Sequence, residues 1–382
     1  MKRVENPVFV TLHPKAYSVD VTKDVGQIPA SMARYKRYRA YLYTYKNDDY
    51  EEQREKYAPD LNIRFLKKRG KDTEFLDEFL FIVKNARRIC VLQMYHMTIG
   101  HLVCLNLYKF LNRKGIAYLK LDIDFVGLEE HSRLESWKKA IIRILHKRID
   151  IVSAESNKTC GLYNKIFKVN SLLVPACYVD IKSENQFIKE CETIESKKEK
   201  IILTAGRLGT DQKATEILLE AFAMAPKAND WKLVLAGTVE REFISWLENY
   251  YERNRGISKR IEYVGNLSSK EDLYELYERA SIFALPSRWG SAEIVIVEAL
   301  SRGDYIIMSD QIPPYVEYTD NGKYGMIVPV DNIEIWAEEI DKAIVRIKKG
   351  YDVNEAIRYG ILNFSSMRIS TLVNEYIKNA CE

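Results

Sequence analysis

The sequence contains no run approaching the roughly 18–20 consecutive apolar residues that a membrane-spanning helix needs. Its first residues, Met1-Lys2-Arg3-Val4-Glu5-Asn6-Pro7, lack the apolar core of a secretory signal. The six cysteines (Cys90, Cys104, Cys160, Cys177, Cys191 and Cys381) show no C-x-x-C spacing, which argues against a disulfide scaffold or a zinc ribbon. Most lie in apolar stretches, as buried free thiols do, and a reducing cytosol is the expected setting. His13, His101, His131 and His146 form no metal-ligand spacing with Asp or Glu. The G-x-x-x-x-G-K-[ST] phosphate loop is absent, as are the recognised RNA- and DNA-binding motifs. No short repeat recurs.

Net charge is scarce too, at +4, but that figure hides an imbalance. Residues 1–180 carry 32 basic against 21 acidic side chains, and the remainder 26 against 33. A basic first half and an acidic second half point to an anionic surface or ligand met by one of them. The 382 residues suit about two domains, and 47% hydrophobic residues supply two cores.

Both halves alternate strand and helix patterns. In the first, Val8–Leu12, Ala40–Tyr45, Leu61–Leu66, Arg88–Tyr95, Ala117–Asp122 and Ile149–Ala154 read as buried strands. Asp72–Asn85, Thr98–Asn112 and about Leu134–Lys147 read as helices between them. The pattern pauses at Leu172–Val174, and the Lys/Glu-rich stretch Ile188–Lys200 reads as a linker. Strands resume at Lys200–Thr204, Trp231–Ala236, Ile261–Val264, Ser281–Leu285 and Tyr305–Ser309, again separated by helical segments. Such alternation implies parallel pairing through crossovers. The expected fold class is α/β, with two doubly wound Rossmann-like domains facing a cleft. Expected boundaries are 1–180, 181–364 and a C-terminal segment 365–382 crossing back to the first domain. Open parallel sheets bind ligands at the carboxyl ends of their strands.

Two segments of the second half carry chemistry. Gly206-Arg207-Leu208-Gly209-Thr210-Asp211-Gln212-Lys213 follows a strand and precedes a helix, placing two cations near a helix N-terminus, where a diphosphate is favoured. The plainer alternative is a surface loop with solvated charges. Downstream, Leu285-Pro286-Ser287 ends a strand, and Gly290 and Ser291 precede the apolar run Ile294-Val295-Ile296-Val297, which leads into Glu298-Ala299-Leu300. Glu298 on so apolar a helix needs a partner. Sugar hydroxyls would serve, as would a structural Arg or a backbone N–H.

The ordered set Gly206-Arg207…Lys213, Leu218-Leu219-Glu220-Ala221-Phe222, Leu233–Gly237, Val264-Gly265, Leu285-Pro286-Ser287…Glu298-Ala299-Leu300, Gly303, Ser309-Asp310 and Asn321-Gly322…Gly325 resembles the donor domain of GT-B glycosyltransferases, in particular the retaining group 1 family 4. The resemblance covers roughly residues 200–335; before that it rests on Asp24-Val25-Gly26 and Val174-Pro175…Val179-Asp180. It implies that Arg207 and Lys213 hold the donor diphosphate and stabilise the leaving nucleotide without a metal or other cofactor. It implies that Glu298, the second glutamate of the E-x7-E motif, binds the ribose, that Asn266 and Leu267 flank the base, and that Gly206, Ser291, Ile294 and Val295 line the donor site. Gly26 corresponds to a glycine-containing loop approaching donor and acceptor. The first glutamate of the motif is replaced by Gly290, and Glu293, at a position usually held by glycine, is the candidate substitute from a shifted loop. On the acceptor side the family's histidine near the fifth strand is replaced by Leu121-Asp122-Ile123-Asp124, leaving His96 and Asp122 as candidates. For His96 a purely structural place is the alternative.

The helix around Leu134–Lys147 sets Arg133, Lys138, Lys139, Arg143, Lys147 and Arg148 beside Leu134, Trp137, Ile141, Ile144 and Leu145. With Arg34–Arg39 and Lys67–Lys71 it suggests an anionic membrane surface; the alternative is a sheet-packing helix with a solvated outer face. The expected function is hexosyl transfer from a nucleotide sugar to a glycan or lipid-linked acceptor in cell-surface polysaccharide synthesis, cytoplasmic and peripheral at the inner membrane face, with no nucleic acid partner. A non-catalytic glycosyltransferase-like partner subunit is the alternative, motivated by Gly290.

Overall fold

A computed structural model describes residues 6–180, 184–267 and 269–382. The chain divides into two compact units, one running to Asp180 and completed by Asn363–Glu382, the other spanning Ile181–Leu362.

In chain order the first unit comprises β1 (Val8–Leu12), α1 (Asp24–Lys36), β2 (Arg39–Thr44), α2 (Glu51–Tyr57), β3 (Leu61–Phe65), α3 (Glu74–Asn85), β4 (Val91–Tyr95), α4 (Ile99–Leu111), β5 (Ile116–Lys120), α5 (Phe125–Ser132), α6 (Ser136–His146), β6 (Ile151–Ala154), α7 (Asn157–Phe167) and β7 (Leu172–Leu173). All seven strands are parallel, in the order β3-β2-β1-β4-β5-β6-β7. The central strands β4, β5 and β6 are buried at every position, as strands covered on both faces must be. On one face Leu92, Met94, Leu102, Leu105, Tyr108 and Leu119 form the core under α3, α4, α6 and α7. On the other, Ile28 and Met32 of α1 meet Ile369, Val373 and Ile377 of the last helix.

The second unit comprises α8 (Glu184–Ser196), β8 (Ile201–Ala205), α9 (Thr215–Met224), β9 (Lys232–Ala236), α10 (Arg241–Arg253), α11 (Arg255–Ser258), β10 (Ile261–Gly265), α12 (Lys270–Arg279), β11 (Ile282–Leu285), α13 (Ile294–Leu300), β12 (Tyr305–Ser309), α14 (Tyr315–Thr319), β13 (Gly325–Val328) and α15 (Ile333–Lys348). Its parallel sheet runs β10-β9-β8-β11-β12-β13. The chain then passes through α16 (Val353–Phe364) to α17 (Ser366–Asn379), which packs on α1. Asp180 anchors the start of α17, accepting hydrogen bonds from the backbone N–H of Ser366 and Met367 and from Ser366 Oγ at 2.6 Å.

The linker expected at Ile188–Lys200 is corrected: most of it is helical, within α8, and Cys191 and Ile194 are buried. Its high charge masked apolar positions three residues apart, which is helix spacing. Strand β13 was not legible, being short and opened by Gly325, whose missing side chain leaves room for the Ile306 carbonyl 2.5 Å from where a Cβ would stand.

Candidate functional site

In both sheets the strand order reverses direction at one point, between β8 and β11 in the second unit and between β1 and β4 in the first. Loops leaving adjacent strands there diverge to opposite faces and open a crevice at the carboxyl edge.

In the second unit these loops are 206–214 after β8 and 286–293 after β11. The first is held by its own side chains: Thr210 Oγ1 donates to the Arg207 carbonyl and accepts from the Lys213 N–H, while the Gly209 N–H donates to Thr215 Oγ1. Arg207 is exposed, its guanidinium donating to Gln212 Oε1 at 2.5 Å. Gln212 in turn donates to the Trp289 carbonyl. Arg288 bridges the two loops, pairing with Asp211 and Glu216 and also with Asp331. Neither Gln212 nor Arg288 was singled out from the sequence. Their signal is position, since each lies inside a loop that leaves the switch point.

Lys213 reaches the second loop. Its Nζ lies 2.5 Å from Glu293 Oε2, with both side chains largely buried. Glu293 holds φ +46°, a left-handed conformation that disfavours a β-carbon and explains why glycine suits this position. Its carboxylate folds back over Gly290, and a Cβ built on Gly290 would stand 2.3 Å from Glu293 Oε1. The space that a side chain at 290 would fill is thus occupied by a carboxylate sent from 293. Ser291 is half-buried in the same loop, and Ile294 and Val295 open α13.

Glu298 is fully buried. Its carboxylate accepts from Lys270 Nζ and, at 3.4 Å, from the hydroxyls of Tyr274 and Tyr277. The partner is therefore a lysine of α12 and two phenols, rather than the arginine or backbone N–H weighed as alternatives. All three were hidden in an exposed-looking helix, Lys270–Arg279, whose Tyr274 and Tyr277 are buried. Asn266 is exposed and Leu267 half-buried just beyond β10.

In the first unit the expected glycine loop is corrected. Gly26 lies in the first turn of α1, buried, and a Cβ there would meet the Val21 backbone at 2.4 Å. The missing side chain lets the preceding 3-10 turn pack on the helix.

His13, His96 and Asp122 follow the ends of β1, β4 and β5. His96 (φ +60°) and Asp122 (φ +43°) both hold left-handed backbone, strain that gathers at binding sites. His96 Nδ1 lies 4.0 Å from Asp122 Oδ2, and the His13 ring stands edge-on to His96 at 5.8 Å. Burial, with His96 nearby, lowers the His13 pKa to about 4. Below them Lys120 is buried between Glu155 at 2.8 Å and Asp24 at 3.1 Å. Burial pushes Glu155 up to about 7 even beside that lysine. His13, Lys120 and Glu155 were missed as site-edge residues; strand-end position is the signal that marks them.

Residues 187–357 match a protein-family model described as glycosyl transferases group 1. The chain is 26% identical over 311 residues to an uncharacterized 41.2 kDa protein in the cps region of Klebsiella pneumoniae, covering 78% of this chain and 81% of that one. It is 24% identical over 241 residues to an uncharacterized glycosyltransferase of Haemophilus influenzae, covering 60% and 63% of the two chains. With the lipopolysaccharide core biosynthesis mannosyltransferase LpsB of Rhizobium meliloti it shares 25% over 233 residues, or 58% and 61%. The match thus spans less than two thirds of the Haemophilus and Rhizobium proteins. Among solved structures, Anabaena Alr3699/HepE in complex with UDP superposes with a TM-score of 0.72 at 14% identity, covering 98% of this chain and all of that one. The apo lipopolysaccharide outer core galactosyltransferase WaaB gives 0.70 at 13%, covering 97% and 99%.

Proposed function

Because residues 187–357 belong to the group 1 glycosyltransferases and the chain has the two-unit GT-B fold, we propose that it transfers a sugar from a nucleoside diphosphate donor to a glycan or lipid-linked acceptor, with retention. The observation that carries this reading is the Lys213–Glu293 pair at the switch point of the second sheet, with Arg207 on the same loop.

Arg207 and Lys213 hold the diphosphate. As the bond from the anomeric carbon to the phosphate oxygen breaks, negative charge grows on that oxygen, and cations already in place stabilise it without reorganising. Retention in a single step requires the acceptor hydroxyl to attack from the face the phosphate leaves, so the departing phosphate oxygen is the nearest base for its proton. Glu293 positions Lys213 and, from the place it fills beside Gly290, offers its second oxygen to the donor sugar. Glu298 takes the ribose by exchanging Lys270 for sugar hydroxyls, with Asn266 and Leu267 beside the base. In the first unit, His96 oriented by Asp122 binds hydroxyls of the acceptor. The names of the relatives support a setting in cell-surface polysaccharide synthesis, and UDP in the HepE structure makes a uridine donor the first to try.

The test is turnover. Purified full-length chain is incubated with UDP- and GDP-sugars and a panel of glycan and polyprenyl-phosphate-linked acceptors. Nucleotide release and the anomeric configuration of the product are followed by NMR. Retained configuration, lost in an Arg207→Ala/Lys213→Ala variant, supports the reading. Inverted product contradicts the mechanism, and no turnover with any donor contradicts the activity.

A further inference from the structure

We propose that the outer face of α3, α4 and α6 in the first unit docks on an anionic lipid bilayer. These three neighbouring helices bury one side against the sheet through residues such as Ile82, Leu105 and Ile142. Their other sides are also apolar. Phe75, Leu76 and Val83 of α3, Ile99 and Phe110 of α4, and Trp137, Ile141 and Ile144 of α6 are exposed; Phe110 by 67%, Trp137 by 58% and Ile144 by 62%. Of the nineteen large apolar side chains exposed among the described residues, eight fall on these three helices, which make up about a tenth of the chain. Scattered single residues need no explanation, but a clustered face of this size marks an interaction surface.

Charge selects the occupant. Each of the three helices runs back to the amino edge of the parallel sheet before β4, β5 or β6, so their C-termini share one edge of the unit. That edge carries Lys84 in the last turn of α3 with Arg87 and Arg88 after it, Arg113 and Lys114 after α4, and Arg143, Lys147 and Arg148 at the end of α6, all exposed, Arg143 also donating to the Phe167 carbonyl. Apolar side chains including a tryptophan, bordered along one edge by lysine and arginine, match the acyl–headgroup boundary of a negatively charged leaflet. Among the described residues no helix is long and apolar enough to cross a membrane, so the contact is peripheral. In the other basic clusters foreseen from the sequence, Arg34, Lys36 and Arg69 are engaged within the unit, while Arg37, Arg39, Lys67, Lys68 and Lys71 are exposed but border no comparable group of apolar side chains. Arg34 pairs with Asp60, Lys36 bonds Thr371 of α17, and Arg69 pairs with Asp77. This docking does not rest on the proposed reaction and is read without it.

The experiment is co-sedimentation of the full chain with vesicles of phosphatidylcholine alone or mixed with phosphatidylglycerol, together with its oligomeric state by light scattering. Binding only to the anionic vesicles is expected. Arg143→Gln/Lys147→Gln/Arg148→Gln should weaken it on the order of a hundredfold, about fivefold per charge. Ile141→Ser/Ile144→Ser should weaken it about tenfold or more with Tm unchanged. Equal binding to neutral vesicles, no vesicle binding, or a dimer that the Ile141→Ser/Ile144→Ser variant converts to monomer overturns the proposal. The last result would assign the face to a second copy of the chain.

Discussion

Glu293 and Gly290 exchange places: the carboxylate of Glu293 occupies the volume that a side chain on residue 290 would fill, and from there it meets Lys213 Nζ at 2.5 Å. A residue in left-handed backbone, three positions later in the chain, restores a carboxylate to a loop whose expected one is missing.

That exchange makes Gly290→Ala informative. The new Cβ collides with the end of a side chain rather than with backbone, so the fold is kept, but the carboxylate is pushed off the largely buried Lys213 and Tm should fall. Transfer should fall tenfold or more, on the order of the loss of one strong charge-assisted hydrogen bond. Unchanged turnover would show that Glu293 has no part in the reaction. Glu293→Gly alone relaxes the left-handed backbone, by about 1 kcal/mol, but strands the equally buried Lys213, so the chain should gain no stability while losing activity.

Lys213→Ala and Arg207→Ala should each lower kcat by roughly 10²–10³-fold, the scale for removing a preorganised donor from a site of developing charge. Lys213→Ala should also destabilise, since it strands a largely buried Glu293; exposed Arg207 should not. Thermal melts of the two variants distinguish these effects.

Among the described residues, Lys270→Met leaves the fully buried Glu298 with two tyrosine hydroxyls, at a cost of roughly 3 kcal/mol. If ribose hydroxyls replace Lys270, saturating nucleoside diphosphate should raise the Tm of this variant more than that of the parent protein. Equal shifts would confine Glu298 to joining α12 and α13.

His96→Gly should keep or raise stability, by about 1 kcal/mol, because it removes a left-handed strain. It should at the same time raise the acceptor KM and leave nucleotide affinity unchanged. A loss of nucleotide affinity instead would place His96 on the donor.

The low pKa of His13, about 4, gives stability a pH dependence of definite sign. The unfolded chain binds this proton below about pH 6.5, whereas the folded chain refuses it until about pH 4, so its contribution is present above 6.5 and lost as pH falls towards 4. Across that window it amounts to roughly 3 kcal/mol. Denaturant titrations of the parent and of His13→Phe should diverge between these limits, the variant being less acid-sensitive.

Strand positions were legible because parallel strands buried on both faces read as continuous apolar runs, as in β4, β5 and β12. Helix α8 was not, because its lysine and four glutamates outnumber Cys191 and Ile194, the apolar side chains seen to turn inward. The donor loop was legible in Arg207 and Lys213, which stand at the end of an apolar strand. What local sequence does not encode is distance between segments. The pairing of Glu298 with Lys270, the bridge made by Arg288 and the approach of His96 to Asp122 join residues 26–77 positions apart. The outward turn of Trp137, Ile141 and Ile144 was equally hidden, since an amphipathic pattern does not say which side the core takes.

The most direct test of the donor site is calorimetric titration of the full chain with UDP-sugars and GDP-sugars, run in parallel on the Arg207→Ala/Lys213→Ala variant. The account predicts saturable binding of at least one donor by the parent chain, weakened a hundredfold or more in the variant by loss of two charge-assisted contacts to the diphosphate. Binding that survives both substitutions unchanged, or no binding of any nucleotide sugar, would contradict it.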